Sequence, residues 1–317
     1  MAASPRATEG AQLGGLLKVL AAASALGTLG PVAAMAYDEG IEPATFSALR
    51  AGIGAAILGG LVLSRRQPSV RLTRLAPRQR ALLVLAVAVN GLMNLVLFFA
   101  FGAMAVGLVM IIFYCNPVLV AAMSAALGRE RLTPVRILAL AMAAAGLALV
   151  LGNQFGADPH ATTAGVVLAG IAATCHALYL VTIRGGFDDV PGVQATSLVL
   201  AGGLAISGTA ALVIQGPGVA GEWLTSPVAW AAIACAATFG AALPKVWVIG
   251  GVRRIGSTRT AVAMLMEPVV AVVIAGVALG QRLTEVELTG GAAILLAVVL
   301  AQLPAQGPRD GVAAEAG

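Results

Sequence analysis

Ten apolar stretches, each long enough to cross a bilayer as a helix, follow one another along this chain with short connections. They cover 15–37, 44–64, 80–101, 104–127, 134–152, 162–183, 192–215, 226–250, 257–280 and 286–304. A hydrocarbon core about 30 Å thick takes roughly 20 helical residues, and in lipid every backbone polar group must find its partner inside the protein. Helices satisfy that condition one segment at a time. The chain is 59% hydrophobic and 10% charged, whereas a soluble domain carries about 25% charged residues. The expected fold class is therefore an all-α integral membrane protein with ten transmembrane helices.

The first stretch needs a separate argument. Lys18 precedes an Ala/Leu/Gly run, and small residues near Ala23 imitate the cleavage site of a signal peptide. The run nevertheless continues to Tyr37, long enough to span, and has a counterpart in the second half of the chain. It is expected to be the first transmembrane helix. Residues 1–14 and 305–317, small and polar, are expected to be cytoplasmic tails, disordered over 1–12 and 306–317.

Charge placement orients the chain. With both termini cytoplasmic, sixteen of the 19 Lys and Arg residues fall on the cytoplasmic side, including the cluster from Arg65 to Arg80. Arg282 alone falls outside, and Arg50 and Lys245 lie within spans. The positive-inside rule selects this orientation, in the cytoplasmic (inner) membrane. A net charge of +5 would suit nucleic acid, but the basic residues sit in short loops between apolar runs, where anionic lipid headgroups are the expected partner. Cys115, Cys175 and Cys235 are odd in number, lie in apolar stretches and lack CxxC spacing, which points to core packing rather than disulfides or metal.

The chain is also internally duplicated. Asn116-Pro117-Val118 leads through an apolar run to Glu130-Arg131-Leu132-Thr133, and 151 residues later Glu267-Pro268-Val269 leads to Gln281-Arg282-Leu283-Thr284. From Pro to Thr, five of the seventeen aligned positions are identical. The beginnings align too: Gly15 to Glu39 falls on Gly165 to Asp189, with Tyr37-Asp38-Glu39 on Phe187-Asp188-Asp189. The two units are 15–152 and 162–304. Five helices per unit is an odd number, so the copies are expected to insert with opposite orientation, a plan common in secondary transporters whose substrate site lies at the midplane between repeats.

Arg253-Arg254-Ile255-Gly256-Ser257-Thr258, the Glu267-Pro268-Val269 stretch and Leu279-Gly280-Gln281-Arg282-Leu283-Thr284 resemble the second EamA domain of the drug/metabolite transporter superfamily. Gly128 to Pro134 resembles the end of the first. The resemblance runs from about residue 15 to residue 304. It implies a ten-helix bundle with cytoplasmic termini, often an exporter of amino acids or related metabolites. Gln281 departs from the Glu usual in the second Gly-Glu-Arg-Leu-Thr motif, while Glu130 keeps it in the first, so a structural loop contact is expected to be weaker in the second half.

Polar groups at mid-span are expensive and each demands an account. Glu267 lies eleven residues into its span, ahead of Pro268. Asn116 lies ahead of Pro117 at the equivalent place. Each proline removes a backbone hydrogen bond and favours a kink, leaving a carbonyl for a ligand. Glu267 would contact a substrate amine or carry a proton; a packed, structural kink is the alternative. His176 and Tyr179 share one helix face, as do Asn90 and Asn94; relay and contact roles compete with core roles. Lys245 aligns with Asn94 and either lines the cavity or snorkels to headgroups. Tyr114 and Trp247 would supply aromatic walls or core. Arg50 is expected to pair with Asp38, Glu39 or Glu42, or to snorkel outward; an external substrate gate is the alternative.

These readings converge on a secondary transporter that moves a small polar metabolite, such as an amino acid, by alternating access. A proton is the candidate coupling ion. There is no GxxxxGK[ST] motif for a nucleotide, and no cofactor or metal is called for. The rival class is a membrane-embedded lipid or prenyl-modifying enzyme, which needs clustered carboxylates for Mg²⁺. Asp188-Asp189 stands alone in a loop, and HExxH and GxSxG are missing. A channel would require rings of like residues.

Overall fold

The computed structural model describes residues 5–103, 106–130, 133–152, 162–279 and 285–303. The helices of the first half are α1 (Pro5–Gly27), α2 (Leu29–Asp38), α3 (Pro43–Leu63), α4 (Pro77–Ala103), α5 (Val106–Phe113), α6 (Asn116–Ala126) and α7 (Pro134–Gly152). Those of the second half are α8 (Thr163–Ile183), α9 (Gly192–Gln215), α10 (Pro227–Ala237), α11 (Leu243–Ile255), α12 (Ser257–Met264), α13 (Met266–Leu279) and α14 (Glu285–Gln302). No strand occurs among the described residues.

Helix starts follow local chemistry. Pro43, Pro77, Pro134 and Pro227 open α3, α4, α7 and α10, where the missing amide hydrogen costs nothing. Thr162 and Ser226 cap α8 and α10, their hydroxyl oxygens accepting from Gly165 N at 3.0 Å and Ala229 N at 3.1 Å. The helix expected from residue 15 instead begins at Pro5, so residues 5–12 continue α1 rather than forming a tail. Residues 305–317, expected to be the other tail, lie outside the described residues.

Among the described residues, seven stretches are long and apolar enough to cross a membrane: Gly10–Gly27, Pro43–Leu63, Pro77–Leu97, Val109–Ala126, Thr163–Ile183, Gly192–Gln215 and Pro227–Ile255. Pro134–Val150 and Leu288–Gln302 are shorter apolar helices. Leu63, Val213 and Ile214 on the outside are largely exposed, while the interior is rich in alanine with scattered Ser, Thr and Asn. That inside-out distribution suits lipid as solvent and small residues as the packing surface.

Several expected continuous helices are broken. One turn at Thr28 separates α1 from α2, and its hydroxyl donates to Ala25 O at 2.7 Å. Tyr114 and Cys115 form a turn between α5 and α6, and Leu265 separates α12 from α13. Under the 151-residue shift the last two breaks coincide, each just ahead of its proline. Pro117 cannot donate to Phe113 O four residues back and would clash with it, so the helix stops and restarts. A π-helical turn, Thr238–Ala242, joins α10 to α11 without a break.

The halves pack crosswise: α3 lies on α9, α7 on α14, α1 on α11 and α13, and α4 and α6 on α8. Exchanging the two halves returns the α3–α9 and α7–α14 contacts to themselves and interchanges the α1 contacts with the α8 contacts. The backbones of α7 and α14 approach closely at two glycines. A Cβ on Gly146 would stand 2.7 Å from Gly290 O, and one on Gly290 would stand 2.7 Å from Gly146 O, so neither position tolerates a side chain without backbone movement.

Candidate functional site

Where α3, α4, α9 and α11 meet, polar side chains gather inside the apolar bundle. Ser47, Arg50, Asn90, Asn94, Ser207 and Lys245 line a cavity completed by Ala51, Leu200, Gly203 and Ala241. Its volume is about 10 Å³, room for one water.

Asn90 and Asn94, one turn apart on α4, orient each other. Asn94 Nδ2 donates to Asn90 O at 2.8 Å, which turns the Asn94 amide oxygen toward the cavity. Arg50 Nη2 donates to that oxygen at 3.4 Å, and Lys245 Nζ donates to Asn90 Oδ1 at 3.1 Å. Each amide thus offers its acceptor to one cation. Arg50 Nη1 also donates, at 3.4 Å, to Gly240 O in the π-helical turn, whose altered register presents a carbonyl sideways. The outward pairing expected for Arg50 is therefore replaced by inward bonds to α4 and the π turn. Snorkelling is likewise not what Lys245 does: its ammonium bonds Asn90 and sits 5.6 Å from the centre of the Tyr179 ring, within cation–π range.

Glu267 enters from the α12–α13 break. Its carboxylate is within hydrogen-bonding reach of the Tyr114 hydroxyl, and Arg50 and Lys245 both act on it electrostatically. Tyr114 itself stands in the α5–α6 break, so the two interruptions deliver an acid and a phenol to one place. Gly27, the last residue of α1, seats against the backbone there: a Cβ on it would lie 2.9 Å from Glu267 O and 3.1 Å from Val270 Cβ.

Asn116 serves a different end from its equivalent. Its side chain is buried, and Nδ2 donates at 2.9 Å to Phe113 O, the carbonyl that Pro117 leaves free. The group expected to be open to a ligand is closed by its own neighbour. His176 Nδ1 lies 3.1 Å from Met93 Sδ, and its ring stands edge-on to Phe113 with centroids 5.2 Å apart and 6.5 Å from Tyr179. His176 and Tyr179 share a face, as the spacing requires, and form an aromatic wall beside Lys245. Trp247 packs against the main apolar core.

Sequence reasoning missed Ser47, Ser207 and the π turn as parts of this cluster, and gave Arg50 an outer place rather than a central one. For Arg50 a signal existed, a charge two turns inside an apolar helix. The serines and the π turn carried none.

An EamA-like transporter model matches residues 13–152 and again residues 163–303. The chain belongs to the EamA-like transporter family. Membership makes it a multi-pass membrane protein of the drug/metabolite transporter superfamily built from two EamA repeats. The fold of this EamA-like transporter is shared with a solved crystal structure at 22% identity and a TM-score of 0.72, covering 90% of this chain and 96% of that one. A comparison with curated proteins returned no match.

Proposed function

We propose that this EamA-like transporter is a secondary exporter of a small polar metabolite, such as an amino acid, across the cytoplasmic (inner) membrane. Both termini lie in the cytoplasm, and the two repeats insert as inverted copies. The single observation that carries this reading is the polar cluster of Arg50, Asn90, Asn94 and Lys245 in the interior of an apolar bundle, at the seam between the halves. A charged group in such a setting is costly and is retained where it meets a ligand or an ion.

Inversion is supported by the odd number of spans expected in each repeat, and the repeat itself by the exchangeable contact pattern between halves and the equivalent breaks at Tyr114–Cys115 and Leu265. Alternating access then consists of one half rocking against the other around the cluster. Glu267 couples the cycle to protons: it faces Tyr114, Arg50 and Lys245, groups whose arrangement changes when the halves move. The test is uptake of a labelled metabolite panel into inside-out vesicles, with and without a pH gradient. Uptake of at least one polar metabolite above empty vesicles is expected. Equal uptake with and without the protein across the panel would overturn the reading.

A further inference from the structure

The cluster has more hydrogen-bond donors than acceptors. Both amide oxygens, of Asn90 and Asn94, are already engaged by Lys245 and Arg50. Of the remaining groups, Arg50 Nε and Asn90 Nδ2 are buried donors with no acceptor, and the buried Ser207 hydroxyl also lacks a partner. Lys245 has three ammonium hydrogens, of which one goes to Asn90. A buried donor without a partner is unfavourable, and several around one small cavity call for one acceptor-rich group.

Charge points the same way. Arg50 and Lys245 contribute two positive charges, and Glu267, which acts on both, contributes one negative charge. With Lys245 protonated and Glu267 ionised the sum is one positive charge, and a proton taken up by Glu267 makes it two. Moving a proton from Lys245 to Glu267 leaves the sum at one. A neutral zwitterion would not balance it; a ligand of net charge −1 would. The Arg50 guanidinium offers a planar fork suited to a carboxylate, with Lys245 as a second point charge beside it.

We infer that the substrate of this site carries a carboxylate that bridges Arg50 and Lys245, and that its net charge is −1. The inference rests on the transporter reading above and narrows it. A monocarboxylate with an otherwise uncharged body meets the requirement, and so does an acidic amino acid whose ammonium faces Glu267. The cavity, at about 10 Å³, admits neither until the helices part, so binding belongs to an open state of the cycle.

The full chain in lipid nanodiscs provides the test, by thermal unfolding at constant ionic strength against paired probes. Lactate is set against lactamide, glutamate against glutamine, and alanine serves as the neutral zwitterion. At least one net anion is expected to raise the unfolding midpoint at a concentration where its partner does not, with affinity differing about tenfold or more for one charge-assisted bond. Lactate responding without glutamate identifies a monocarboxylate site, and the reverse identifies the acidic amino acid.

Arg50→Gln and Lys245→Gln should each remove the shift. Arg50→Lys, which keeps the charge and loses the fork, should weaken it, providing a check if Arg50→Gln folds poorly. Equal responses to each anion and its partner, a response to alanine alone, or a shift that survives both glutamine variants would overturn the inference. Uptake of alanine into vesicles without anion discrimination would end it while leaving the transporter reading intact. Anion binding without any flux would end the transporter reading instead.

Discussion

Glu130 and Ser257, 127 residues apart, are joined twice: the Ser257 backbone amide donates to Glu130 Oε1 at 3.1 Å and its hydroxyl does so at 3.2 Å. Arg184 Nη1 donates to the same oxygen at 3.0 Å, and Arg136 Nη1 lies 3.7 Å from Oε2. One carboxylate, its side chain 5% exposed, therefore ties the loop after α6 to the end of α8 and the start of α12. Ser124 and Ser257 hydroxyls, 2.9 Å apart, add a second link between the halves. The second-half equivalent, Gln281, lies outside the described residues, as do Arg131 and Arg282.

Replacing Glu130 tests how much that junction stabilises. Glu130→Ala removes the acceptor shared by the Ser257 amide and Arg184 and the carboxylate beside Arg136, and should cost about 2–3 kcal/mol. Glu130→Gln keeps an oxygen for Ser257 and loses the ion pairs, so it should cost about half as much. Arg184 is 39% exposed and recovers water, which holds the estimate below that of a fully buried pair. Thermal unfolding of both variants in nanodiscs checks the order. An alanine variant as stable as the parent would show that the junction is idle.

Asn116 offers a way to separate stability from transport. Asn116→Ala orphans the buried Phe113 carbonyl and should lower stability by about 1–3 kcal/mol. Substrate affinity, read from the concentration dependence of vesicle uptake, should stay within about twofold, less than one lost hydrogen bond would give. Tyr114→Phe removes the hydroxyl that faces Glu267, so it should alter uptake as well as lower the unfolding midpoint. Equal effects of the two substitutions on affinity would return Asn116 to the site.

Much of the fold could be read from the chain because the physics involved is local. Apolar length sets the helices, Pro and Ser/Thr set their starts, and the Asn-Pro and Glu-Pro pairs mark two of the breaks. The break at Thr28 and the π turn at Thr238–Ala242 had no such mark, since both depend on what packs against them. For the site, spacing put Asn90 with Asn94 and His176 with Tyr179, as neighbours on one helix face. It could not tell that Lys245 on α11 bonds Asn90 on α4, nor that Arg50 turns inward, because those facts belong to tertiary packing. The bond made by Asn116 was hidden for a related reason: periodicity does not reveal that an acceptor for its amide is the carbonyl three residues back.

The Lys245–Asn90 bond makes a measurable pair. Lys245→Met strands the Asn90 oxygen, and Asn90→Leu strands the ammonium, so each alone should destabilise. In the double variant both groups are gone, and its loss should fall short of the sum by about 1 kcal/mol or more. Unfolding in nanodiscs of the parent, both singles and the double closes the cycle. Strict additivity would mean that the 3.1 Å contact contributes nothing to stability.

Gly27 controls the setting of Glu267 from the end of α1. With Glu267 O only 2.9 Å from the site of a Cβ, Gly27→Ala must push one backbone from the other, at about 1–3 kcal/mol for overpacking, and Gly27→Val must push further. Uptake should fall in the same order as stability.

Glu267→Gln asks a different question, since it keeps the shape and removes the titration. If Glu267 carries the proton, the variant should lose the response of flux to an imposed pH gradient yet still exchange labelled for unlabelled substrate, a step needing no net proton movement. Gly27→Ala should retain that response at a reduced rate, because it displaces the carboxylate without neutralising it. Full pH dependence in Glu267→Gln would remove the proton role from this residue, and loss of exchange as well as flux would make Glu267 a substrate contact instead.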